Sequence, residues 1–389
     1  MSTPKGYKQT ELGIIPEDWE VVTIDDVLSM ATKTISTSSF DHKFYIGTEN
    51  MLSEKRGVSP YSGTFPYLQV REYLTYDILT SNIRPYLKKI WLADRCGGCS
   101  SDVIVFRVKD TNTICPAYIY TIISDDSFFR YSMDSAIGTK MPRGDKSAIK
   151  TYSFAIPQSL SEQKAIAKAL SDVDDLIAAL DKKIAKKRLV KQGAMQQLLT
   201  GKKRLPGFTE EWVEKKLGDI SRIKTGSRNG DEAIENGKYP FFVRSQKIYS
   251  IDSYSFEGEA ILVPGEGGIG NIFHYVNGKF DYHQRVYKIS NFSDSICGKY
   301  VYFYMSRYFG EYALSLTVKA TVDSLRLPTF KDFVIKAPVD IKEQQAIAAI
   351  LSDMDKEIAN LEKQRENYCL LKSGMMQKLL TGQIRLKTK

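Results

Sequence analysis

Two segments of this chain, residues 162–205 and 343–386, repeat each other without a gap at an offset of 181 residues. Of the 44 aligned positions, 24 carry the same residue. The sequences that precede the two copies are not alike. A chain that repeats one segment and varies what stands before it is expected to hold two different domains in a fixed mutual geometry.

The repeated segments are predicted to be helices of about 40 residues, and so about 60 Å long. Their apolar residues recur at alternating steps of four and three, the spacing of a coiled-coil seam. The seam residues are Ile166, Leu170, Val173, Ile177, Leu180 and Ile184 in the first copy and Ile347, Leu351, Met354, Ile358, Leu361 and Tyr368 in the second. Because a single apolar seam is unstable in water, we expect the two copies to pair with each other, antiparallel.

Start and stop residues also mark these helices. Ser161 is the predicted N-cap of the first. Gly201 and Gly382 stand where a left-handed residue ends a helix. Gly193 and Gly374 are interior, where glycine costs about 1 kcal/mol relative to alanine. We therefore expect close backbone approach at both, either between crossing helices or against another subunit; the alternative is that glycine is simply tolerated there.

The segments between the helices are predicted to be α+β. They are rich in Tyr, Phe, Ile and Val, and turns are predicted at Gly97-Gly98 and Asn277-Gly278. The clearest predicted elements are strands at 103–108 and 259–263 and helices at 116–124 and 298–309. Similar opening strands near Trp19 and Trp212 complete a repeated unit of opening strand, variable domain and long helix. The predicted boundaries are 1–157 for the first variable domain, 158–201 for the first spacer helix, 202–338 for the second variable domain and 339–389 for the second spacer helix and C-terminal tail.

Composition narrows the functional class. The 389 residues are 42% hydrophobic and 26% charged, which is ordinary for two or three globular domains. A net charge of +9 makes a polyanion such as nucleic acid the first partner to consider. No stretch approaches the roughly 20 apolar residues of a membrane helix, and the N-terminus has no apolar signal core. We therefore expect a cytoplasmic protein with no membrane partner.

Two short motifs of catalytic or metal-binding type are weak. Gly265, Gly267 and Gly270 form a G-x-G-x-x-G, but an alternating segment follows instead of the helix that a dinucleotide site needs. Cys96 and Cys99 have C-x-x-C spacing, but the remaining cysteines and the histidines supply no second pair of ligands. Walker A, H-E-x-x-H, nucleophile-elbow and N-P-P-[FY] motifs are absent from the sequence. The prediction is a non-catalytic subunit without a metal.

The motifs EQ-x-AIA, LSD-x-D and M-x-x-LLTG occur twice, each time after a variable domain that ends in a proline. This pattern resembles the specificity subunit of type I restriction-modification enzymes, over essentially the whole chain. The first variable domain resembles one type of target-recognition domain through residues 82–93, 99–102 and 138–143. The second resembles another type through residues 237–242, 256–262 and 282–287.

The resemblance implies two α/β-mixed target-recognition domains joined by two long antiparallel coiled-coil helices, with pseudo-two-fold symmetry. Each domain would read one half-site of a bipartite, asymmetric sequence in double-stranded DNA, methylated on one adenine per half-site. The spacer helices would set the gap and dock two methyltransferase subunits, which restriction/translocase subunits join. S-adenosylmethionine, ATP and Mg would belong to those partners, and this chain would hold no cofactor.

Candidate DNA contacts are the cations and amides of irregular segments, because Arg and Gln read base edges while Lys contacts phosphate. They are Arg84, Lys88, Lys140 and Arg143 in the first domain and Arg228, Arg244, Gln246, Lys247, Gln284, Arg285 and Lys319 in the second. The basic run 182–191 on the first spacer helix is either a solvated face or a contact to phosphates of the gap.

Three other interpretations stay open on the sequence. One is the specificity subunit of a related system whose partner fuses nuclease and methyltransferase. Another is a coiled-coil scaffold that binds protein and no DNA. The third is an enzyme that binds a nucleotide at Gly265–Gly270.

Overall fold

The computed structural model of the chain describes residues 3–65, 68–268, 270–316 and 324–386. Two compact units are formed. One comprises the chain up to Ala179 together with the chain from Gln364 onward, and the other is the continuous segment Leu180–Lys363. Each unit therefore contains a variable domain and part of each repeated helix. In the part of the chain described, no helix combines the length and apolarity needed to cross a membrane.

The first unit is built from short strands and helices that lead into one long helix. Its strands are β1 (Tyr7–Thr10), β2 (Gly13–Pro16), β3 (Trp19–Thr23), β4 (Leu28–Met30), β5 (Thr34–Ser36), β6 (Gln69–Tyr73), β7 (Ile78–Ser81), β8 (Ile90–Leu92), β9 (Gly97–Cys99), β10 (Val103–Val108) and β11 (Ser153–Pro157). Its helices are α1 (Ile24–Val27), α2 (Pro116–Ile123), α3 (Asp126–Asp134), α4 (Lys146–Lys150) and the start of α5 (Leu160–Leu198). Short 3-10 helices cover Thr37–Ser39, His42–Phe44 and Pro85–Leu87.

The second unit is organised around a larger sheet. Its strands are β12 (Trp212–Lys216), β13 (Arg222–Thr225), β14 (Tyr239–Phe242), β15 (Ile248–Ile251), β16 (Phe256–Pro264), β17 (His274–Tyr282), β18 (Val286–Ser290) and β19 (Val334–Pro338). Its helices are α6 (Leu217–Ile220), α7 (Gly298–Ser315), α8 (Leu327–Lys331) and the start of α9 (Ile341–Leu379), with a 3-10 helix at Gly230–Glu232.

The sheets of the first unit are antiparallel and small. One has the order β4-β10-β7-β8 and another the order β5-β6-β9, while β1-β2 and β3-β11 form pairs. The main core gathers Trp19, Phe106 and Phe128 with Leu170 of α5 and Leu379 of α9. The apolar core of the first variable domain is therefore continuous with the repeated helices.

The second unit has a six-stranded sheet of order β13-β18-β16-β17-β14-β15 and a separate β12-β19 pair. The neighbours β14 and β17 run parallel, and the other pairs recorded for this sheet are antiparallel. One face packs on α7 through a core that includes Ile261, Ile289 and Phe303 and continues to Leu351 of α9. The same plan of domain core and helix is thus used in both units.

The opening strands predicted from the sequence are confirmed. β3 pairs with β11, with Trp19 opposite Pro157, and β12 pairs with β19, with Trp212 opposite Pro338. In each variable domain the opening strand and the closing strand therefore form one two-stranded ribbon, and the long helix follows the closing strand. The predicted strands at 103–108 and 259–263 lie in β10 and β16, and the two predicted short helices are α2 and α7.

The predicted turn at Gly97-Gly98 is wrong, because these residues form β9. A Cβ on Gly98 would stand 2.5 Å from the side chains of Phe40 and Val70. Glycine is required here because two neighbouring side chains close over the backbone.

The hairpin turn predicted at Asn277-Gly278 is also wrong. Both residues lie inside β17, where Gly278 is opposite Gly258 of β16. Gly278 has a φ of +144°, a value that favours glycine. The turn signal therefore marks an irregularity within a long strand and not its end.

The predicted N-cap is displaced by two residues. Helix α5 already begins at Leu160, so Ser161 lies in its first turn. The Ser159 hydroxyl accepts a hydrogen bond from the Glu162 N–H at 3.3 Å, which is the capping interaction.

The glycines of the repeated helices behave in two ways. Gly201 and Gly382 have φ values of +72° and +68°, as predicted for residues that end helices. A Cβ on Gly193 or Gly374 would meet no described atom within 4 Å. Close approach between crossing helices of this chain is therefore wrong as their explanation.

Candidate nucleic-acid interface

Three predicted contact residues of the second domain meet at one end of its sheet. The parallel strands β14 and β17 place Phe242 opposite Tyr282, so the loops leaving their carboxyl ends are neighbours. Arg244 follows the first of these strands, and Gln284 and Arg285 follow the second. Strand pairing between distant segments thus gathers the two arginines.

Glu266 joins these two arginines. Its carboxylate accepts a hydrogen bond from Nη1 of Arg244 at 3.2 Å and another from Nη1 of Arg285. The Glu266 side chain is 19% exposed, whereas those of Arg244 and Arg285 are 48% and 55% exposed. The N–H of Gly265 donates to the Arg285 carbonyl at 2.8 Å. This bond holds the glycine segment, the loop that begins with Gly265 and Glu266, beside Arg285. A partly covered carboxylate therefore lies between two exposed guanidinium groups.

His283 fixes the backbone beneath this group. Its N–H donates to the Phe242 carbonyl at 2.9 Å, and its Nδ1 accepts from the Arg285 N–H at 3.0 Å. Burial lowers the pKa of His283, and the charges of Arg244 and Arg285 lower it further. A neutral ring is the form whose Nδ1 can accept this bond.

Arg228 lies beside the same loops but is occupied inside the domain. Its Nε donates to Asp281 at 3.2 Å, Nη1 to Glu232 at 2.8 Å and Nη2 to the Ser253 hydroxyl at 2.8 Å. The Asp281 side chain is buried, so Arg228 neutralises a carboxylate that water does not reach. A DNA contact by Arg228 stays a prediction, and it requires exchange of these partners.

Two further predicted contacts of the second domain lie on its surface. Gln246 and Lys247 are exposed just before β15. The Gln284 amide donates to the Asn229 side chain at 2.7 Å. Lys319 lies outside the described residues.

In the first domain, two loops bring Arg84 and Arg143 together. The Arg84 N–H donates to the Pro142 carbonyl at 2.8 Å, and Ile83 forms an isolated bridge with Arg143. Nη2 of Arg143 lies 3.2 Å from Asp102. An arginine predicted to contact DNA is again paired with a carboxylate from a neighbouring loop.

Lys146 adds a cation that is not among the predicted contacts. Burial lowers its pKa, and the nearby charges of Arg71 and Arg143 lower it further, while Asp102 opposes them. Lys146 is the first residue of α4, which is positioned by the Asp145 cap. The first domain therefore has a group of cations around Asp102.

Lys88 belongs to a different site. Lys88 and Lys55 contact the two oxygens of Asp126 at 2.9 and 2.6 Å. Although partial burial raises the pKa of Asp126, the hydrogen bonds from Lys55 and Lys88 outweigh it and leave the pKa lowered. Lys140 is exposed in the loop before Arg143.

The repeated helices contact each other within each unit. In the first unit Asp174 pairs with Lys372 at 2.6 Å. In the second, Ile184 packs against Ile358 and Leu361. The buried seam residues are Ile166, Leu170, Val173, Ile184, Ile347, Leu351, Ile358 and Leu361, and the partly exposed ones are Ile177, Leu180, Met354 and Tyr368.

Part of the basic run on α5 is paired with α9. The three contacts are Lys187 with Glu357 at 2.7 Å, Arg188 with Glu362 at 2.6 Å and Lys191 with Asp355 at 2.5 Å. Lys182, Lys183 and Lys186 are exposed. Half of the run therefore contributes to helix pairing.

In each unit an arginine–glutamate pair joins the end of one repeated segment to the start of the other; we call this contact the junction. Arg385 donates to Glu162 through Nε at 2.5 Å and Nη2 at 2.7 Å, and to Asp18 at 2.8 Å. Arg204 donates to Glu343 through the same two nitrogens at 2.7 Å. The arginine at the end of each repeat thus binds the glutamate that begins the other.

The two weak motifs gain no chemical site from the geometry. The element that follows Gly270 is strand β17 and not a helix, although Gly270 is close to Gly310 of α7. Cys99 is buried, which raises the pKa of its thiol to about 12, whereas Cys96 is exposed. Within the described residues, no three His, Cys, Asp or Glu side chains are grouped to hold a metal.

The chain matches the family described as type I restriction modification DNA specificity domain, over residues 16–187 and again over 209–368. It is similar to the type I restriction enzyme MjaVIII specificity subunit of Methanocaldococcus jannaschii, with 26% identity over 96% of this chain and 94% of the relative. The putative MjaX specificity subunit of the same organism is 25% identical over 99% and 98% of the two chains. The fold is similar to a crystal structure of a type I restriction-modification S subunit from M. genitalium, with a TM-score of 0.68 at 17% identity, covering 93% and 96% of the chains.

Proposed function

Since this chain belongs to the family of type I restriction-modification specificity subunits, we propose that it selects the DNA sequence on which such a complex acts. Each variable domain, 1–157 and 202–338, reads one half-site of a bipartite and asymmetric sequence. The observation that carries this proposal is one frame of paired strands and a long helix, used twice around two unlike domains. Equal frames with different loops are suited to reading two different sequences.

The spacer helices 158–201 and 339–389 pair as an antiparallel coiled coil with pseudo-two-fold symmetry. Ion pairs support this arrangement. Lys187 of α5 pairs with Glu357 of α9, whereas Lys191, further along α5, pairs with Asp355, which is earlier in α9. The buried seam residues at steps of three and four support it as well. Such a spacer sets the gap between the half-sites.

Two methyltransferase subunits dock on the spacer helices, one near each open glycine. Leu189 and Leu370 occupy equivalent positions in the repeat and are 68% and 67% exposed. Each stands one helical turn before an open glycine, Gly193 or Gly374. Exposed apolar residues beside glycine suit close packing of a partner helix.

The chain itself carries no catalytic step. S-adenosylmethionine, ATP and Mg bind to the methyltransferase and restriction/translocase subunits. These subunits assemble with this chain in the cytoplasm. The contribution of this chain is selection: arginine and glutamine side chains read base edges, and lysines contact phosphate.

Single-molecule mapping of methylated adenine in the source genome, with and without this gene, tests the function. We expect a bipartite motif with one methylated adenine per half-site, lost on deletion and restored by the intact gene. A variant with Arg84, Arg143, Arg244 and Arg285 changed to Ala serves as the control, because it should assemble but restore no motif. An unchanged methylation pattern in all strains would support the scaffold interpretation instead.

A further inference from the structure

Two exposed arginines of the second domain share one carboxylate. Arg244 and Arg285 come from separate loops, and both donate to Glu266 from the glycine segment. Each arginine presents a planar fork of donors suited to base edges, and in the structure part of each fork is directed at Glu266.

We propose that Glu266 is a specificity-determining residue, which holds these arginines in the free protein and is displaced when a matching half-site satisfies them. The inference rests on the proposed function, since it concerns how the same loops choose DNA. Its ligand is the acceptor edge of a base pair in the major groove, with guanine O6 and N7 as the best match for an arginine fork.

The exposures of the three side chains are suited to such an exchange. Arg244 and Arg285 are about half exposed, whereas Glu266 is 19% exposed. Ion pairs of exposed arginines are weak, so a DNA ligand can replace them. On exchange the Glu266 carboxylate gives up its hydrogen bonds to the arginines but stays on the neighbouring loop, because the Gly265 N–H is bound to the Arg285 carbonyl at 2.8 Å.

The charge of Glu266 acts against the wrong DNA. A duplex without the matching bases offers these arginines mainly phosphate oxygens, and a retained carboxylate repels that backbone. Specificity then arises because non-matching DNA is penalised more than matching DNA, whose base edges satisfy the arginine forks. Glu266 also reduces the positive charge that would otherwise attract any duplex.

The first domain contains a similar pair independently. Arg143 lies 3.2 Å from Asp102, which follows the segment of β9 and is not part of the arginine's own loop. A carboxylate on a neighbouring loop therefore restrains a predicted DNA-reading arginine in both domains.

The test compares Glu266→Gln with the wild-type full chain, each purified with its bound partners. Binding is measured to a random-sequence 40-bp duplex and to a 40-bp duplex that carries the methylated motif. We expect Glu266→Gln to bind the random duplex about three- to tenfold more tightly at low salt, because two arginines are released from a charge. The plot of log K against log salt should steepen by about one. Affinity for the motif should change less, so discrimination falls.

Glu257→Gln is the matched control, because it removes a carboxylate of the same domain that lies 3.8 Å from Lys279 and away from both arginines. Glu266→Ala should act in the same direction as Glu266→Gln, which guards against a local effect of the amide. Unchanged binding of the random duplex by both Glu266 variants overturns the inference. Weaker binding of the motif alone also overturns it, since Glu266 would then be a base-reading residue. If the wild-type complex binds neither duplex, the proposed function itself fails.

Discussion

Arg385 is the residue that ties the end of the chain into the first unit. It forms a double hydrogen bond with Glu162, whose side chain is 5% exposed, and another with Asp18. A buried carboxylate that loses its cation is costly, since neither water nor another charge compensates it. The stability of the β3-β11 ribbon should therefore depend on Arg385.

Arg385→Ala should destabilise this ribbon by about 2 kcal/mol, a value reduced because Arg385 is itself 28% exposed. Amide hydrogen exchange in β3 and β11 should accelerate about thirtyfold, while β12 and β19 serve as an internal reference. Lys378→Ala, a nearby exposed charge, is the control and should leave exchange unchanged. Equal acceleration of amide exchange in the β3-β11 and β12-β19 ribbons would mean that the Arg385 junction does not act on the first ribbon alone.

The effect of Arg385→Ala should diminish in acid. The hydrogen bond from Arg385 holds the pKa of Asp18 below its ordinary value, against the opposing effect of partial burial. A carboxyl whose pKa is lower in the folded chain contributes stability above the unfolded pKa of about 3.9, and that stability is lost as pH falls through the folded pKa. Denaturation measures the free energy of unfolding of the wild-type chain and of Arg385→Ala at pH 7 and pH 3. The difference between the two proteins should be smaller at pH 3.

The site was only partly accessible from the sequence. A rule that selects cations and amides in irregular segments selected Arg244, Arg285 and Arg143, whose contact with DNA stays a prediction. It did not select Glu266 and Asp102, because these carboxylates meet the arginines through contacts between loops that are distant in sequence. The bonds of Arg228 to Asp281 and Ser253 were hidden for the same reason.

At the scale of elements, the repeated helices were the most predictable part of the fold. Their 39-residue lengths follow from a local apolar period that repeats twice. The parallel neighbours β14 and β17 could not be predicted, because pairing across 40 residues leaves no periodic signal. The glycines of β9 were misread because a Gly-Gly pair usually marks a turn, whereas here neighbouring side chains close over the strand and leave no room for a Cβ.

Gly193→Ala tests the open position on α5. In the free chain we expect stabilisation by about 1 kcal/mol, since alanine favours helix and its Cβ meets no described atom. Docking of a methyltransferase subunit should weaken, because the added methyl keeps a partner helix away. Gly201→Ala is the contrasting control: its φ of +72° and a Cβ 3.1 Å from Trp212 predict destabilisation. Unaltered docking of Gly193→Ala would place the partner elsewhere.

The length of the spacer can be tested in the same element. Four helical residues inserted into one spacer helix add about 6 Å, so the gap of the recognised motif should lengthen by one or two base pairs. Methylation mapping of a strain with this variant measures the gap directly. An unchanged gap would show that the spacer does not act as a ruler.

At the scale of the whole molecule, two unlike domains on equal frames predict independent half-sites. Arg143→Ala should relax or weaken recognition only at the half-site of the first domain, and Arg285→Ala only at the other. Methylated motifs from strains with each variant, compared position by position, give the answer. The same loss at both half-sites from either change would contradict modular recognition.

The division of the chain into units has a consequence for its synthesis. The second unit is continuous, so its synthesis is complete once Lys363 has been added. The first unit has its variable domain near the N-terminus, but its core also contains Leu379 and its junction needs Arg385. A ribosome adds about 5 to 20 residues per second, so the first domain waits many seconds for its last packing partners. The first domain is therefore synthesised first, but the folding of its unit is completed last. Until then its unfinished core is the part of the nascent chain that chaperones most need to protect.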